Sequence, residues 1–229
     1  MNYKQEAAAK AITLIQENTI IGLGAGSTIA YIVDYLKAKT NEGLAIQLVS
    51  SSFTTKQLLL KEELTVLPIE FCKGIDIYFD GCDQFDKQLN ALKSGGGIHT
   101  QEKLLASMAK QFVLVGDASK LVNTFDTKYP LVIEMLPQSA AFVPSKIQTL
   151  FPVVRTDMRL SDKKDGAVIT ENGNYLLDVY FETWPPLSSI NQAFKNIAGV
   201  VETSLFYGLA HKAIIADENG VTILEKINN

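Results

Sequence analysis

Along the first half of the chain, short apolar runs alternate with longer segments whose apolar residues recur at helical spacing. From Tyr3 to Gln16 that spacing predicts a helix. "TIIGLGAGST" then predicts a short buried strand, Thr19 to Leu23, running into a glycine turn, and a helix from Ser27 to Lys37 with Ser27 or Thr28 as its cap. Further apolar runs lie at Ala45 to Val49, Leu64 to Ile69, Ile75 to Phe79 and Phe112 to Val115, separated by helical patterns such as "TTKQLLLKEE" and "QEKLLASMAK". Strands alternating with helices imply an α/β fold, a mostly parallel, Rossmann-like sheet with helices on both faces.

After Lys128 the order changes. "LVIEMLP" predicts a strand, "AAFVPSKIQTLF" a helix, "VVRTDMRL" and "NYLLDVYF" two strands, "SSINQAFKNIAG" a helix and "VVETSLF" a last strand. The order β-α-β-β-α-β is the split, ferredoxin-like α+β plan. The expected division is an α/β domain from residues 1–128 and 207–229 with a smaller ferredoxin-like domain, 129–206, inserted. In the tail, "KAIIADENGVTILEK" reads as two strands joined near Asn219-Gly220. They can pair with each other or rejoin the first sheet.

With 229 residues the chain is long enough to bury about 70% of its unfolded surface. Its 47% hydrophobic and 20% charged residues place it among globular proteins rather than disordered or fibrous ones. A formal charge of −4 and no basic face argue against nucleic acid as a partner, while leaving room for a small anionic substrate held by a local positive pocket. Two cysteines, Cys72 and Cys82, are too few for a disulfide framework. The N-terminus lacks the apolar core of a signal peptide, and no run approaches the roughly 18 apolar residues of a membrane span. A cytoplasmic protein with no membrane partner is expected.

Ligands of open parallel sheets bind beyond the carboxyl ends of the strands. Polar clusters fall at four such ends: Gly24 to Thr28, Ser50 to Ser52, Asp80 to Asp83, and Asp117 to Lys120. "GLGAGS" is not a dinucleotide fingerprint, because Ser27 stands where its third glycine belongs and the next strand ends in "SSS" without the ribose-binding acid. It suits a small phosphate or carboxylate at a helix start, or equally a tight turn with a helix cap. In "DGCD", Asp80 and Asp83 can face one cavity or be solvated turn residues. Lys93 precedes "SGGG", whose bare backbone can approach a ligand closely. Thr100 is the expected N-cap of the next helix. That puts Glu102 in the first turn, either as an ionised base or simply as a helix-stabilising acid. His99 can be a base or, drawn with Asp80, Cys82 and Asp83, a metal ligand, but no recognised ligand spacing supports such a site and a hydrogen-bonded or solvated histidine is the better reading.

Taken together, "GLGAGST", "DGCD", "KSGGG", "TQEKLLASMAK" and "DASK" are similar to the motifs of the type A ribose-5-phosphate isomerase family, in its order and spacing. "VVRTDMRL", "ENGNYLLDV" and "IAGVVETSLF" extend the resemblance over essentially the whole chain. The resemblance implies interconversion of ribose 5-phosphate and ribulose 5-phosphate through an enediol(ate), in the non-oxidative pentose phosphate pathway, with no metal or organic cofactor. It implies Glu102 as general base, and Asp80, Asp83 and Lys93 as catalytic groups acting on the sugar oxygens. Substrate would be held by Ala25, Gly26, Ser27 and Thr28, by Gly81, Cys82, Ser94, Gly95 and Gly96, and by Lys120 and Lys4. Ser27 and Thr28 would be the phosphate donors. A homodimer or homotetramer is implied as well.

The chain departs from the family pattern at Cys82, Gln84 and Ser94, where alanine, glutamate and glycine are usual, and at Phe53 with the threonines after it. The charged residues are all kept, so activity is expected, with Cys82 a possible point of attack for thiol reagents. Two other functions remain to be weighed. One is a sugar-phosphate sensor without catalysis on the same scaffold. The other is a transferase using the glutamate as a nucleophile towards a thioester.

Overall fold

The computed structural model describes residues 2–152 and 154–226. The chain begins with α1 (Tyr3–Ile12), β1 (Thr19–Leu23), α2 (Ser27–Asn41), β2 (Ile46–Ser50), α3 (Phe53–Lys61) and β3 (Ile75–Asp80). Two short strands, β4 (Gln84–Phe85) and β5 (Ala91–Leu92), precede α4 (His99–Met108) and the long β6 (Ala109–Asp117). Next come β7 (Leu131–Met135), α5 (Phe142–Leu150), β8 (Arg155–Met158), β9 (Tyr175–Tyr180), α6 (Leu187–Lys195) and β10 (Val200–Thr203). The chain closes with β11 (Leu205–Phe206), β12 (Lys212–Asp217) and β13 (Gly220–Glu225).

The large sheet has the order β13-β12-β6-β3-β1-β2. All its neighbours run parallel except β13, an antiparallel edge on β12. The tail therefore both pairs with itself and rejoins the sheet. Because successive strand residues point to opposite faces, Val113, Val115, Ile214 and Ala216 pack on one side with α1 and α2. Phe112, Leu114, Ala213 and Ile215 pack on the other with Leu105 and Ala106 of α4. Helix α1 turns Ala7, Ala8 and Ala11, all fully buried, towards this core. The absence of longer side chains there lets the helix lie close.

The second sheet is wholly antiparallel, in the order β10-β7-β9-β8. With α5 and α6 it encloses a core that includes Leu131, Ile133, Val143, Ile147, Val179, Ile190 and Phe194. Among the described residues, no helix is long and apolar enough to cross a membrane.

Three expectations are corrected. Leu64 to Ile69 is not a strand: Val66 makes one bridge to Leu48, and the chain turns at Pro68 into a short 3-10 segment, Ile69–Phe71. Pro68 has no N–H with which to continue a ladder. "VVETSLF" is two strands, not one. It breaks at Ser204, after which β11 joins β5 and β4 in a separate three-stranded sheet. The predicted strand "VVRTDMRL" is confined to Arg155–Met158, and Val153 lies outside the described residues.

Ser204 ties these parts together. Its N–H donates to the Val132 carbonyl at 2.7 Å, its hydroxyl accepts from Val132 N–H at 2.8 Å, and its carbonyl accepts from Lys93 N–H at 3.0 Å. The second sheet is thereby fastened to the backbone that carries Lys93.

Candidate active site

The exits of β1, β3 and β6 open onto a cavity of about 280 Å³. Lys4, Ala25 to Thr28, Gly81 to Asp83, Lys93, Gly95, Gly96, Glu102 and Lys120 line it. So do Val115, Gly116 and Asp117, which sequence reasoning did not assign. The polar run Asp117 to Lys120 at a strand exit is the signal for Asp117, whereas Val115 and Gly116 belong to the strand before it and carry none. Two expected residues lie outside the lining. Asp80 is fully buried beneath the cavity, and Ser94 turns its hydroxyl away to the Pro130 carbonyl at 2.6 Å.

Strand periodicity explains the depth of Asp80. Tyr78 and Asp80 stand two residues apart on β3 and share a face. The Tyr78 hydroxyl donates to Asp80 Oδ2 at 2.6 Å. Oδ1 accepts from Gly81 N–H at 2.8 Å and Ala25 N–H at 3.2 Å. Gly24 makes this arrangement possible, because a Cβ there would fall 1.9 Å from Asp80 Oδ1.

Lys93 sits on this carboxylate, with Nζ 2.9 Å from Asp80 Oδ2 and 3.2 Å from Glu102 Oε1. It also donates to the Gly81 carbonyl. Burial works against the lysine charge, but Asp80 and Glu102 outweigh it and hold its pKa above the ordinary value. Burial likewise dominates at Glu102. Lys93 pulls its pKa down and Asp80 and Asp83 push it up, leaving it raised to about 8.

Asp83 is held from the glycine segment. Its Oδ2 accepts from Ser94 N–H at 2.5 Å and Gly95 N–H at 3.1 Å. Among the described residues, no protein donor reaches Oδ1. Helix α4 starts two residues earlier than expected. Ile98 is its N-cap with no side-chain bond, and Thr100 instead donates its hydroxyl to Glu134 of β7. Glu102 remains in the first turn, 5% exposed, so it is far from the solvated helix-end acid that its position also allowed.

The start of α2 also lines the cavity. Gly26, at φ 99°, is the N-cap, and no side chain caps the helix. Ser27 and Thr28 are thus in the helix rather than capping it, and the Ser27 hydroxyl accepts from Lys4 Nζ at 3.2 Å. Uncapped amides at a helix start, with hydroxyls and lysines around them, favour an anion.

Cys82 is a free cysteine in the cavity lining. Burial above all pushes its thiol up to about 12, so at neutral pH almost none is the reactive thiolate. His99 is wholly buried, its Nε2 is 3.3 Å from the Glu202 carbonyl, and burial lowers its pKa to about 4. It is neutral and does not line the cavity. Among the described residues, no three His, Cys, Asp or Glu gather where they could hold a metal.

A buried carboxylate with a raised pKa, a lysine fixed beside it and an anion-ready helix start in one small cavity define an acid–base enzyme for a small anionic substrate. The comparisons identify which one. The family model described as "Ribose 5-phosphate isomerase A (phosphoriboisomerase A)" matches residues 47–220. Ribose-5-phosphate isomerase A of Thermosynechococcus vestitus is 34% identical over 93% of this chain and 91% of its own. That of Methanothermobacter thermautotrophicus is 34% identical over 98% of both. The solved ribose 5-phosphate isomerase A of Methanocaldococcus jannaschii superposes with a TM-score of 0.90 at 32% identity, covering 97% of this chain and 98% of the other. A solved D-ribose-5-phosphate isomerase in complex with phospho-erythronic acid gives 0.91 at 32% identity, covering 98% and 100%. The chain belongs to the ribose 5-phosphate isomerase A family. It is an aldose–ketose isomerase acting on ribose 5-phosphate, and the sensor and thioester-transferase readings are set aside.

Proposed function

We propose that Glu102 is the general base, moving a proton between C2 and C1 of the open-chain sugar, with Lys93 stabilising the enediolate oxygen. The observation that carries this reading is the placement of Lys93 Nζ 3.2 Å from Glu102 Oε1, at the cavity wall. When the carboxylate takes the C2 proton, the electron pair moves onto the C1 carbonyl oxygen, and an adjacent ammonium favours that charge. Returning the proton to C1 while the C2 hydroxyl loses its own completes the ketose. Asp83, in the cavity lining, handles hydroxyl protons in ring opening and in the enediol step. Asp80 cannot touch the sugar from beneath the cavity and acts as a positioning residue for Lys93.

The phosphate is assigned to the start of α2, with Ser27, Thr28, Lys4 and Lys120 around it. Phospho-erythronic acid, held by the related isomerase, carries a phosphate and a carboxylate on one short carbon chain. This cavity offers a matching pair of ends: the α2 start for the phosphate, Lys93 for the enediolate-like carboxylate. Binding energy at the phosphate, away from the reacting carbons, is available for positioning.

The pH dependence of kcat/KM tests the base. The carboxylate must be ionised to act, and burial raises its pKa to about 8. Activity should therefore rise about tenfold per pH unit on the acid side and level off above that value. A limb instead at the ordinary glutamate value would remove Glu102 from the role.

Assembly as a homodimer or homotetramer is proposed on the exposed apolar side chains of the second unit, among them Leu160, Ile169 and Phe142, at 68%, 57% and 54% exposure. Light scattering should give a mass at least twice that of the chain; a monomer at micromolar concentration would refute it.

A further inference from the structure

The segment Ser94 to Gly97 has no side chains long enough to fix its own shape, yet it must present its amides to Asp83. Arg159, just beyond β8 in the second sheet, lies against its outer side. Its Nη2 donates to the Ser94 carbonyl at 2.9 Å, and its Nη1 to the Gly95 carbonyl at 3.4 Å. Asp178 of β9 holds the guanidinium from behind in a two-point contact, Nε to Oδ2 at 3.2 Å and Nη2 to Oδ1 at 2.6 Å. The pair is largely buried, with side chains 20% and 14% exposed.

One peptide unit shows what this arrangement does. The Ser94 carbonyl and the Gly95 N–H belong to the same planar trans amide and point in opposite directions. The carbonyl end is bound by Arg159 at 2.9 Å, and the N–H end donates to Asp83 Oδ2 at 3.1 Å. Rotation of that plane would break both bonds. Beyond the segment, the same unit also holds the first turn of α4, where Glu134 accepts from Thr100 and Asn172 accepts from Gln101 at 2.8 Å.

We propose that Arg159, held by Asp178, is a positioning residue of the isomerase, fixing the Ser94–Gly95 peptide and through it the Asp83 carboxylate. The assignment rests on Asp83 serving the sugar oxygens as proposed above. Arg159 itself touches neither cavity nor substrate. Its planar fork, with two donors set at a fixed angle, is what engages two successive carbonyls, and a lysine offers only a point charge.

The test is a double-mutant cycle on kcat/KM, measured where each variant is fully folded by circular dichroism. Arg159→Met should lower kcat/KM about 10- to 100-fold, the range expected when a catalytic group is misplaced by about 1 Å. The acid limb from Glu102 should stay where it is, and Arg159→Lys should recover only part of the loss. In an Asp83→Asn background, Arg159→Met should cost little more, because both changes remove the same arrangement. The control Arg155→Ala, an exposed arginine at the start of β8, should leave turnover unchanged. Wild-type kcat/KM in folded Arg159→Met, or full additivity with Asp83→Asn, overturns the proposal. Wild-type activity in Asp83→Asn alone would overturn the reading of Asp83 instead. Should Arg159→Met not fold, Arg159→Lys and Asp178→Asn decide the question by the same cycle.

Discussion

Replacing Glu102 by glutamine should lower kcat by about 10²- to 10⁴-fold, the range associated with a positioned general base, while leaving substrate affinity near that of the wild type. The amide keeps the size and planarity of the carboxylate, and the phosphate corner at α2 is untouched. A second signature separates the loss of a base from general damage. Burial holds the Glu102 pKa above the ordinary glutamate value, at about 8, so between the two the group is protonated in the fold when it would be ionised in the unfolded chain. The stability it contributes is fully present below its unfolded pKa and is lost as pH rises through the folded one. The glutamine cannot ionise and is spared that loss. Thermal unfolding should therefore show Glu102→Gln gaining on the wild type between about pH 5 and 8, then holding a constant lead. Near-normal turnover in this variant would sink the base assignment, whatever its stability profile.

Much of this site follows from where strands end. The apolar runs Thr19 to Leu23, Ile75 to Phe79 and Phe112 to Val115 mark three neighbouring strands, and the polar residues after each run meet in one cavity. Depth was harder to read. "DGCD" resembles a turn with two equivalent carboxylates, but β3 continues through Asp80, so the first is the last strand residue and the second belongs to the turn. Counting by twos from Tyr78 would have revealed the difference. The two-residue strands β4, β5 and β11 are too short to carry any periodicity; β4 and β5 pair locally through Gln84 and Leu92, and Leu205 then joins Leu92 from far along the chain. Arg159 and Tyr78 also escaped notice. Arg159 reaches a carbonyl 65 residues away in sequence, which no local pattern places beside it, whereas Tyr78 reaches Asp80 two residues on along the same strand face. Thr100 and Ser27 looked like helix caps and are not, because Glu134 and Lys4 offer their hydroxyls tertiary partners.

Lys93→Met should be the most damaging change to site and fold together. Its ammonium is the cation shared by Asp80, fully buried, and Glu102, 5% exposed. Removing one partner from a buried charge cluster costs about 3–5 kcal/mol, because the remaining charge has lost its compensation. That exceeds the net worth of the pair, since burying the ions was itself costly. Catalysis should fall by about 10²- to 10³-fold from loss of a preorganised donor at the developing oxyanion. The two effects have opposite dependence on pH. Without the lysine, Glu102 loses the one charge that pulls its pKa down and stays protonated to still higher pH. The stability deficit should thus shrink on acidification, while the rise of kcat/KM moves alkaline from the wild-type limb. Lys93→Arg, which keeps the charge but not the compact donor, should restore most of the stability and little of the rate. If the methionine variant is as stable as the wild type at pH 8 and its pH limb is unmoved, Lys93 does not set the ionisation of Glu102. The placement of Asp80 beneath it would then have to be explained by packing alone.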